Sequence, residues 1–155
     1  MTVLTHSVTG SPSTARSVTF LFTTAAVVSL IGLADALYLT VEHLSGRSVR
    51  CTVISGCSEV LSSPYSTIRG IPLAAIGAVS YFVVFSLATL AAFGNRAVIK
   101  LMLLVIAAMF ITTLWLIYLQ AFVIRHFCQF CLLSAAVTVT LTVLCVLGYR
   151  SAAKT

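Results

Sequence analysis

Long apolar stretches separated by short polar segments dominate the chain. Windows of about 20 mostly apolar residues can cross a hydrocarbon core of ~30 Å, because a helix rises ~1.5 Å per residue. Such windows occur at residues 18–41, 71–93, 97–124 and 127–149. They lack the alternation of membrane barrel strands, and an open sheet edge is not tolerated in lipid. The pattern therefore predicts an all-α integral membrane protein, built as a four-transmembrane-helix bundle.

The composition excludes a soluble domain. Hydrophobic residues make up 60% of the 155 residues and charged residues only 8%, whereas soluble domains carry roughly 25% charged residues. We predict one membrane domain at residues 18–149, with cytoplasmic tails at 1–17 and 150–155. The first tail contains eight Ser or Thr and is predicted to be disordered. A cleaved signal peptide is the alternative, since Ala34-Asp35-Ala36 resembles a cleavage site, but the apolar run continues beyond it.

The chain carries nine Lys and Arg against three Asp and Glu. The basic residues are scattered singly between the apolar stretches, so we interpret them as a topology signal and expect no nucleic-acid partner. Four spans place both termini on one side, which carries five basic residues and no acid, against four basic residues on the other. This balance favours cytoplasmic termini and an extracytoplasmic loop between the first two helices.

Four of the five cysteines form two pairs. Cys51 and Cys57 lie in the loop after the first span, and Cys128 and Cys131 form a C-x-x-C motif where the fourth span begins. The end of span one and the start of span four face the same side of the membrane in either orientation. Two dithiols are therefore expected to meet at one aqueous boundary. Cys145 lies roughly 21 Å further along the fourth helix and is expected to serve only in packing.

The C-x-x-C motif suits thiol chemistry. Residues three apart share one face of a helix, and the unpaired N–H groups of its first turn stabilise a thiolate. Arg125 and His126 add positive charge, so we expect a lowered pKa for Cys128, placed nearer to water than Cys131. A lower thiol pKa favours disulfide exchange.

Two alternatives use the same cysteines. They could form structural disulfides, or hold zinc or copper with help from His43 or His126. The spans contain no chain of charged residues, methionines or histidines typical of an ion path. If the dithiols are redox-active, their electrons need an acceptor, and no Rossmann glycine pattern or haem attachment motif is present. A lipid-soluble quinone is the simplest remaining acceptor.

Four spaced elements occur in order along the chain: Cys51-x5-Cys57, Ser58-Glu59-Val60-Leu61-Ser62-Ser63, Gly70-Ile71-Pro72 and Phe127-Cys128-Gln129-Phe130-Cys131. In this order they resemble the vitamin K epoxide reductase family, in particular its bacterial disulfide-forming homologues. The resemblance covers residues 18–149. The other bacterial four-helix, quinone-linked disulfide oxidase carries its C-x-x-C in the first loop, so the order here argues against it.

The resemblance implies a role for each cysteine. Cys51 and Cys57 would be the shuttle pair, in which Cys51 meets a reduced thioredoxin-like protein and Cys57 passes electrons to Cys128. Cys131, one turn deeper, would face a quinone, either ubiquinone or menaquinone. The chain stops at Thr155, so the redox partner is expected to be a separate extracytoplasmic protein.

Ser63 would match the family's loop Ser or Thr near the quinone. Ser62 is the alternative in a shifted register, and a helix cap or surface serine is the plain structural interpretation of Ser63. Animal members have Thr-Tyr-Ala after the C-x-x-C, whereas this chain has Ser134-Ala135-Ala136. That departure weakens the case for vitamin K epoxide as substrate.

Asp35 is the single acid within the predicted spans and is a candidate for the quinone site, with an interfacial hydrogen-bonding role as the alternative. Trp115 and Tyr118 are expected to be interfacial aromatics rather than cofactor contacts. Together with these observations, the resemblance implies a multi-pass oxidoreductase of the bacterial inner membrane that generates disulfides de novo. A metal-binding or metal-transport membrane protein is the alternative.

Overall fold

A computed structural model describes residues 12–46 and 56–153, with side chains from residue 16 onward. Within that part of the chain, four helices are long and apolar enough to cross a membrane, which confirms the predicted fold class. The third continues beyond Tyr118 as a π-helical segment, Leu119–Ile124. The four helices are α1 (Pro12–Leu44), α3 (Leu73–Ala92), α4 (Ala97–Tyr118) and α5 (Gln129–Ala153), and a short helix α2 (Cys57–Leu61) follows α1.

Helices α1 and α5 extend into the two segments that the sequence predicts as tails. Helix α1 begins at Pro12, so a disordered tail at 1–17 is wrong for residues 12–17, and residues 1–11 lie outside the described part. Proline suits the first turn of a helix because its fixed φ is already helical and its missing N–H is not needed there. Helix α5 continues to Ala153, so residues 150–153 of the predicted second tail are helical. Tertiary contacts extend it, because Ala152 is buried and its carbonyl oxygen accepts a hydrogen bond of 3.0 Å from Nη1 of Arg96.

Helix α1 packs against both α3 and α5, and α4 closes the bundle against those two helices. Small residues allow the close approach. A Cβ added at Gly32 of α1 would overlap the ring of Tyr81 on α3, and one at Gly148 of α5 would lie 2.8 Å from Cζ of Phe22. Cys145 is buried in this same core, where it packs as an apolar residue, as expected from the sequence.

The connection from α1 to α3 carries local structure at one end of the bundle. Helix α2 is followed by a 3-10 turn (Pro64–Ser66) and a two-stranded antiparallel hairpin, β1 (Thr67–Ile68) and β2 (Ile71–Pro72). Helix α2 contacts the π-helical segment after α4, which leads to the start of α5. The turn between α3 and α4 contacts the far end of α5 through Arg96. The segments that carry Cys57 and Cys128 therefore lie together at the opposite end, as span parity predicts.

Candidate functional site

Cys57 and Cys128 belong to one buried apolar cluster at this end of the bundle. Cys57 begins α2 and is 1% exposed, and Cys128 directly precedes α5 and is 0% exposed. Leu39 of α1 and Val60 of α2 complete the buried part of the cluster. Cys57 is disulfide-bonded, whereas Cys128 and Cys131 are free thiols. The predicted shuttle cysteine Cys51 lies outside the described residues.

Gly56 brings the two cysteine-bearing segments into contact. Its φ of 137° lies in a region that residues with a Cβ rarely adopt. A Cβ at this position would lie 3.0 Å from both the Cβ of His126 and the carbonyl oxygen of Phe127. Glycine therefore allows the backbone before Cys57 to pack directly on the backbone before Cys128.

Cys128 caps helix α5 with its sulfur. Its carbonyl oxygen accepts the first helical hydrogen bond, 3.0 Å from the nitrogen of Leu132. The thiol of Cys131 and the backbone N–H groups of Cys131 and Phe130 donate to the Cys128 sulfur. These donors favour the thiolate, because the N–H groups of a first helical turn have no partner within the helix. They outweigh burial and lower the pKa of Cys128 from 9.0 to about 7, with the Cys131 thiol as the largest cause.

The lowered pKa of Cys128 agrees with the sequence prediction, but part of the predicted cause is wrong. Arg125 and His126 are both exposed and are not among the groups that shift this pKa. Arg125 adopts a left-handed conformation with φ 58°, which turns the chain between the π-helical segment and α5. Cys128 is also fully buried rather than nearer to water than Cys131, because it packs with Cys57 and Val60 of α2 in one buried cluster. The hydrogen bonds of the motif itself therefore activate the thiol.

Cys131 faces a cavity of about 580 Å³ within the bundle. This volume falls within the range typical of small-molecule sites, ~300–1,000 Å³. Most of the lining is apolar, contributed by α1, α3, α4 and the loop before α3. The polar or titratable side chains among the lining residues are Asp35, His43, Ser63, Tyr65, Ser66, Ser80, Tyr81, Thr112, Thr113, Gln120, Cys131, Ser134 and Thr138.

Ser63 lines this cavity, whereas the alternative Ser62 does not. Ser63 precedes the 3-10 turn, and its hydroxyl donates to the carbonyl oxygen of Val60 at 2.7 Å. Ser62 is exposed and its hydroxyl donates to the carbonyl oxygen of Ser58 at 2.6 Å. The geometry therefore favours Ser63 as the loop serine of the site. Its oxygen can still accept a hydrogen bond from a group in the cavity.

Asp35 lines the same cavity and is 8% exposed. Among the described residues, its Oδ2 is the one buried side-chain nitrogen or oxygen without a hydrogen-bond partner. A buried carboxyl oxygen without a partner is costly, so such atoms in native proteins call for a specific explanation. The charge of Asp35 also acts on Cys128, whose pKa it raises. The structure thus brings three predicted site residues, Asp35, Ser63 and Cys131, to one cavity.

Two polar residues of the site were not singled out by the sequence analysis. Gln120 is 2% exposed, and its Oε1 accepts a hydrogen bond of 3.0 Å from the backbone nitrogen of Cys128. The hydroxyl of Tyr81 lies 2.7 Å from Oγ of Ser134 and 3.1 Å from Oγ1 of Thr138. The sequence did offer a signal, because Gln120 and Tyr81 lie within apolar spans and polar groups buried there need hydrogen-bond partners. Their partners lie eight and more than 50 residues away, so the sequence does not identify them.

The aromatic residues of α4 lie outside the cavity. Trp115 and Tyr118 are both exposed, with ring centroids 5.8 Å apart, and neither contributes to the lining. This position fits the predicted interfacial role. Among residues 12–46 and 56–153, no three His, Cys, Asp or Glu side chains converge as a metal site requires. Cys51, which the metal alternative also uses, is outside those residues.

The model of the vitamin K epoxide reductase family matches residues 23–146 of the chain. This range includes all four cysteines of the two predicted pairs, and most of the chain lies within it. The chain therefore belongs to the vitamin K epoxide reductase family. Members are membrane thiol oxidoreductases, so the protein is an enzyme of that general class.

Proposed function

We propose that this member of the vitamin K epoxide reductase family generates protein disulfides de novo. Electrons would pass from a thioredoxin-like protein through Cys51 and Cys57 to Cys128 and Cys131, and then to a membrane quinone. One observation carries the proposal. The free dithiol of α5 has Cys57 in its buried cluster on one side and the apolar cavity beside Cys131 on the other. A dithiol between a disulfide-bonded cysteine and a ligand-sized cavity is suited to relay electrons.

The first step is thiol–disulfide exchange with the partner. Cys57 is disulfide-bonded, and Cys51 is the remaining cysteine of the sequence, so we propose that these two form the shuttle disulfide. Two thiols of the partner reduce this disulfide and leave as the partner's own disulfide. Two electrons and two protons are then held by Cys51 and Cys57. The balance needs no further reactant.

The second step moves the electrons inward. The Cys57 thiolate attacks the sulfur of Cys128 in the oxidised pair, and Cys131 leaves as a thiolate. Cys51 then attacks Cys57, which restores the shuttle disulfide and releases Cys128. A low pKa at Cys128 favours this release, because a more acidic thiol is a better leaving group. The contact of Gly56 with Phe127 supports direct transfer between the two segments.

The residues around the cavity fit a quinone, which enzymes of this family use. The lining is apolar enough for a ring and tail, and the unpartnered Oδ2 of Asp35 offers a polar contact to a bound headgroup. A quinone bound there would accept two electrons and two protons. Cys131 presents its sulfur to the cavity, while Ser63 and Asp35 offer an acceptor and a carboxyl group for orientation. Neither ubiquinone nor menaquinone is favoured by these contacts.

We place the four cysteines on the extracytoplasmic side of a bacterial inner membrane, with both termini in the cytoplasm. Disulfides persist in oxidising compartments, which supports this orientation. Membrane-impermeant alkylation of a variant that retains only Cys51, in intact cells, tests it. Labelling before the membrane is broken is expected. Labelling only after the membrane is broken would reverse the orientation.

The decisive experiment is an anaerobic titration of the purified protein with a reduced thioredoxin-like protein while quinone reduction is followed. The Cys131→Ser variant should reduce no quinone. The Cys57→Ser variant should accept no electrons from the protein partner but should still reduce quinone with a small dithiol. Cys145→Ser is the matched control, because that thiol lies in the core outside the site, and it should behave as the wild type.

Two results would contradict the relay. A folded Cys57→Ser variant that cannot use a small dithiol would remove the shuttle role, because only transfer from the protein partner should need Cys57. A stoichiometric metal in the purified protein, with four thiols protected from alkylation, would instead support the metal-binding alternative.

A further inference from the structure

Gln120 joins the π-helical segment to the active-site dithiol. The widened turn at Leu119–Ile124 has two buried residues, Leu119 and Gln120. The Oε1 atom of Gln120 accepts from the backbone N–H of Cys128, 3.0 Å away. Cys128 directly precedes α5, so its N–H has no partner in that helix. Gln120 therefore satisfies a donor that would otherwise be buried without a partner.

The orientation of the carboxamide follows from this contact. A backbone N–H can bond only to the oxygen of the amide, so the NH2 group of Gln120 is at the other end. The side chain of Gln120 also interacts with the thiol of Cys131 and lines the cavity that Cys131 faces. The oxygen thus contacts one end of the C-x-x-C motif, and the NH2 group is directed to the other.

We infer that Gln120 is a positioning residue that holds Cys128 and Cys131 through the two ends of one carboxamide and stabilises their reduced form. The inference rests on the proposed role of these cysteines as the redox dithiol. A donor at the Cys131 sulfur stabilises a thiol or thiolate more than the less polar sulfur of a disulfide. Gln120 therefore makes the pair easier to reduce by Cys57. It also stabilises Cys131 as the leaving thiolate of the exchange.

The reduction potential of the pair tests this role without partner or quinone. Full-length protein with Cys51, Cys57 and Cys145 replaced by alanine retains only Cys128 and Cys131. It is equilibrated with mixtures of reduced and oxidised dithiothreitol, and the fraction reduced is counted by alkylation and mass spectrometry. Gln120→Met keeps the size of the side chain but removes both polar ends. We expect its equilibrium constant for reduction to fall by about tenfold, or about 30 mV for a two-electron couple.

A second variant and a control separate positioning from folding. Gln120→Asn keeps the carboxamide but is one methylene too short to reach both cysteines, and its constant should fall in the same direction. Thr140→Val is the control, because Thr140 is exposed on α5 and its hydroxyl bonds only the carbonyl oxygen of Ala136, at 2.8 Å. Its equilibrium constant for reduction should equal that of the protein with Gln120 intact and only Cys128 and Cys131 retained.

The two Gln120 variants give clear contrary outcomes. If either one folds and keeps the wild-type constant within about twofold, even with a lower melting temperature, Gln120 is only structural and the inference is wrong. If instead the pair in the parent protein does not exchange with dithiothreitol at all, the proposed redox function fails, which is a separate result.

Discussion

The pKa of Cys128 depends on the other cysteine of the motif, Cys131. The thiol of Cys131 is the largest cause that lowers this pKa to about 7, ahead of the backbone donors of the first turn. At pH 7, a thiol with a pKa of about 7 is about half ionised, against about 1% for a pKa of 9.0, a difference of about fifty-fold in thiolate. Removal of the Cys131 donor should therefore have a large effect on reactivity.

Two substitutions of Cys131 isolate this donor. Cys131→Ser keeps a hydroxyl that can donate to the Cys128 sulfur, whereas Cys131→Ala removes the donor. A hydrogen bond to a charged group contributes about 1.5–3 kcal/mol, which corresponds to about one to two pKa units. We expect Cys128 to titrate near 7 in the serine variant and between about 8 and 9 in the alanine variant, where the backbone donors remain.

The titration is measured with Cys51, Cys57 and Cys145 replaced, so that Cys128 is the only thiol. Thiolate absorbance and the rate of alkylation by a small neutral reagent, both followed against pH, report its ionisation. The thiolate is the charged form, so both signals should rise as pH increases through the pKa. Arg125→Gly is the control and should leave the curve unchanged, because Arg125 is exposed and does not shift this pKa. Equal pKa values in the serine and alanine variants would refute the role of Cys131 and assign the shift to the backbone N–H groups.

Three further predictions follow from close contacts. Gly56→Ala places a Cβ at φ 137° against Phe127, with strain of about 1–3 kcal/mol. Electron transfer from the protein partner to Cys128 and Cys131, measured by stopped flow, should slow at least about fivefold, and an unchanged rate would contradict a role for this contact. Asp35→Asn should weaken quinone affinity at least about threefold in equilibrium binding, because it replaces the unpartnered carboxyl group that lines the cavity. Equal affinity in the variant would remove Asp35 from the site. Gly32→Ala should destabilise the bundle by about 1–3 kcal/mol in thermal unfolding, because its Cβ overlaps the ring of Tyr81, whereas Gly46→Ala, with no atom within 4 Å of its Cβ, should show only the cost of its positive φ.

The amino-acid sequence by itself determined the membrane fold and identified the cysteines that we propose as reactive. Apolar stretches long enough to span a membrane are apparent from the order of the residues, and no tertiary contact is needed to find them. Parity then places Cys57 and Cys128 at the same end of the bundle, because every span crosses the membrane once. Motif spacing was specific enough to indicate the family.

Only the tertiary structure decided how these cysteines are activated. Nothing in the local pattern shows that α2 packs against Cys128, so the sequence placed that thiol nearer to water and assigned its activation to Arg125 and His126. The hydrogen bond from Cys128 to Gln120 likewise depends on a π-helical turn and a left-handed residue between them.

The same holds for the ends of the helices and for the cavity. Helix α5 extends to Ala153 because of a contact with Arg96, which lies 56 residues earlier in the chain. Asp35 was recognised as a candidate from its charge within an apolar span, but its unpartnered oxygen is apparent only from the packing of the bundle. Hydrophobic patterning depends on each residue and its close neighbours, whereas the environment of a buried polar group depends on residues that are distant in sequence and near in space.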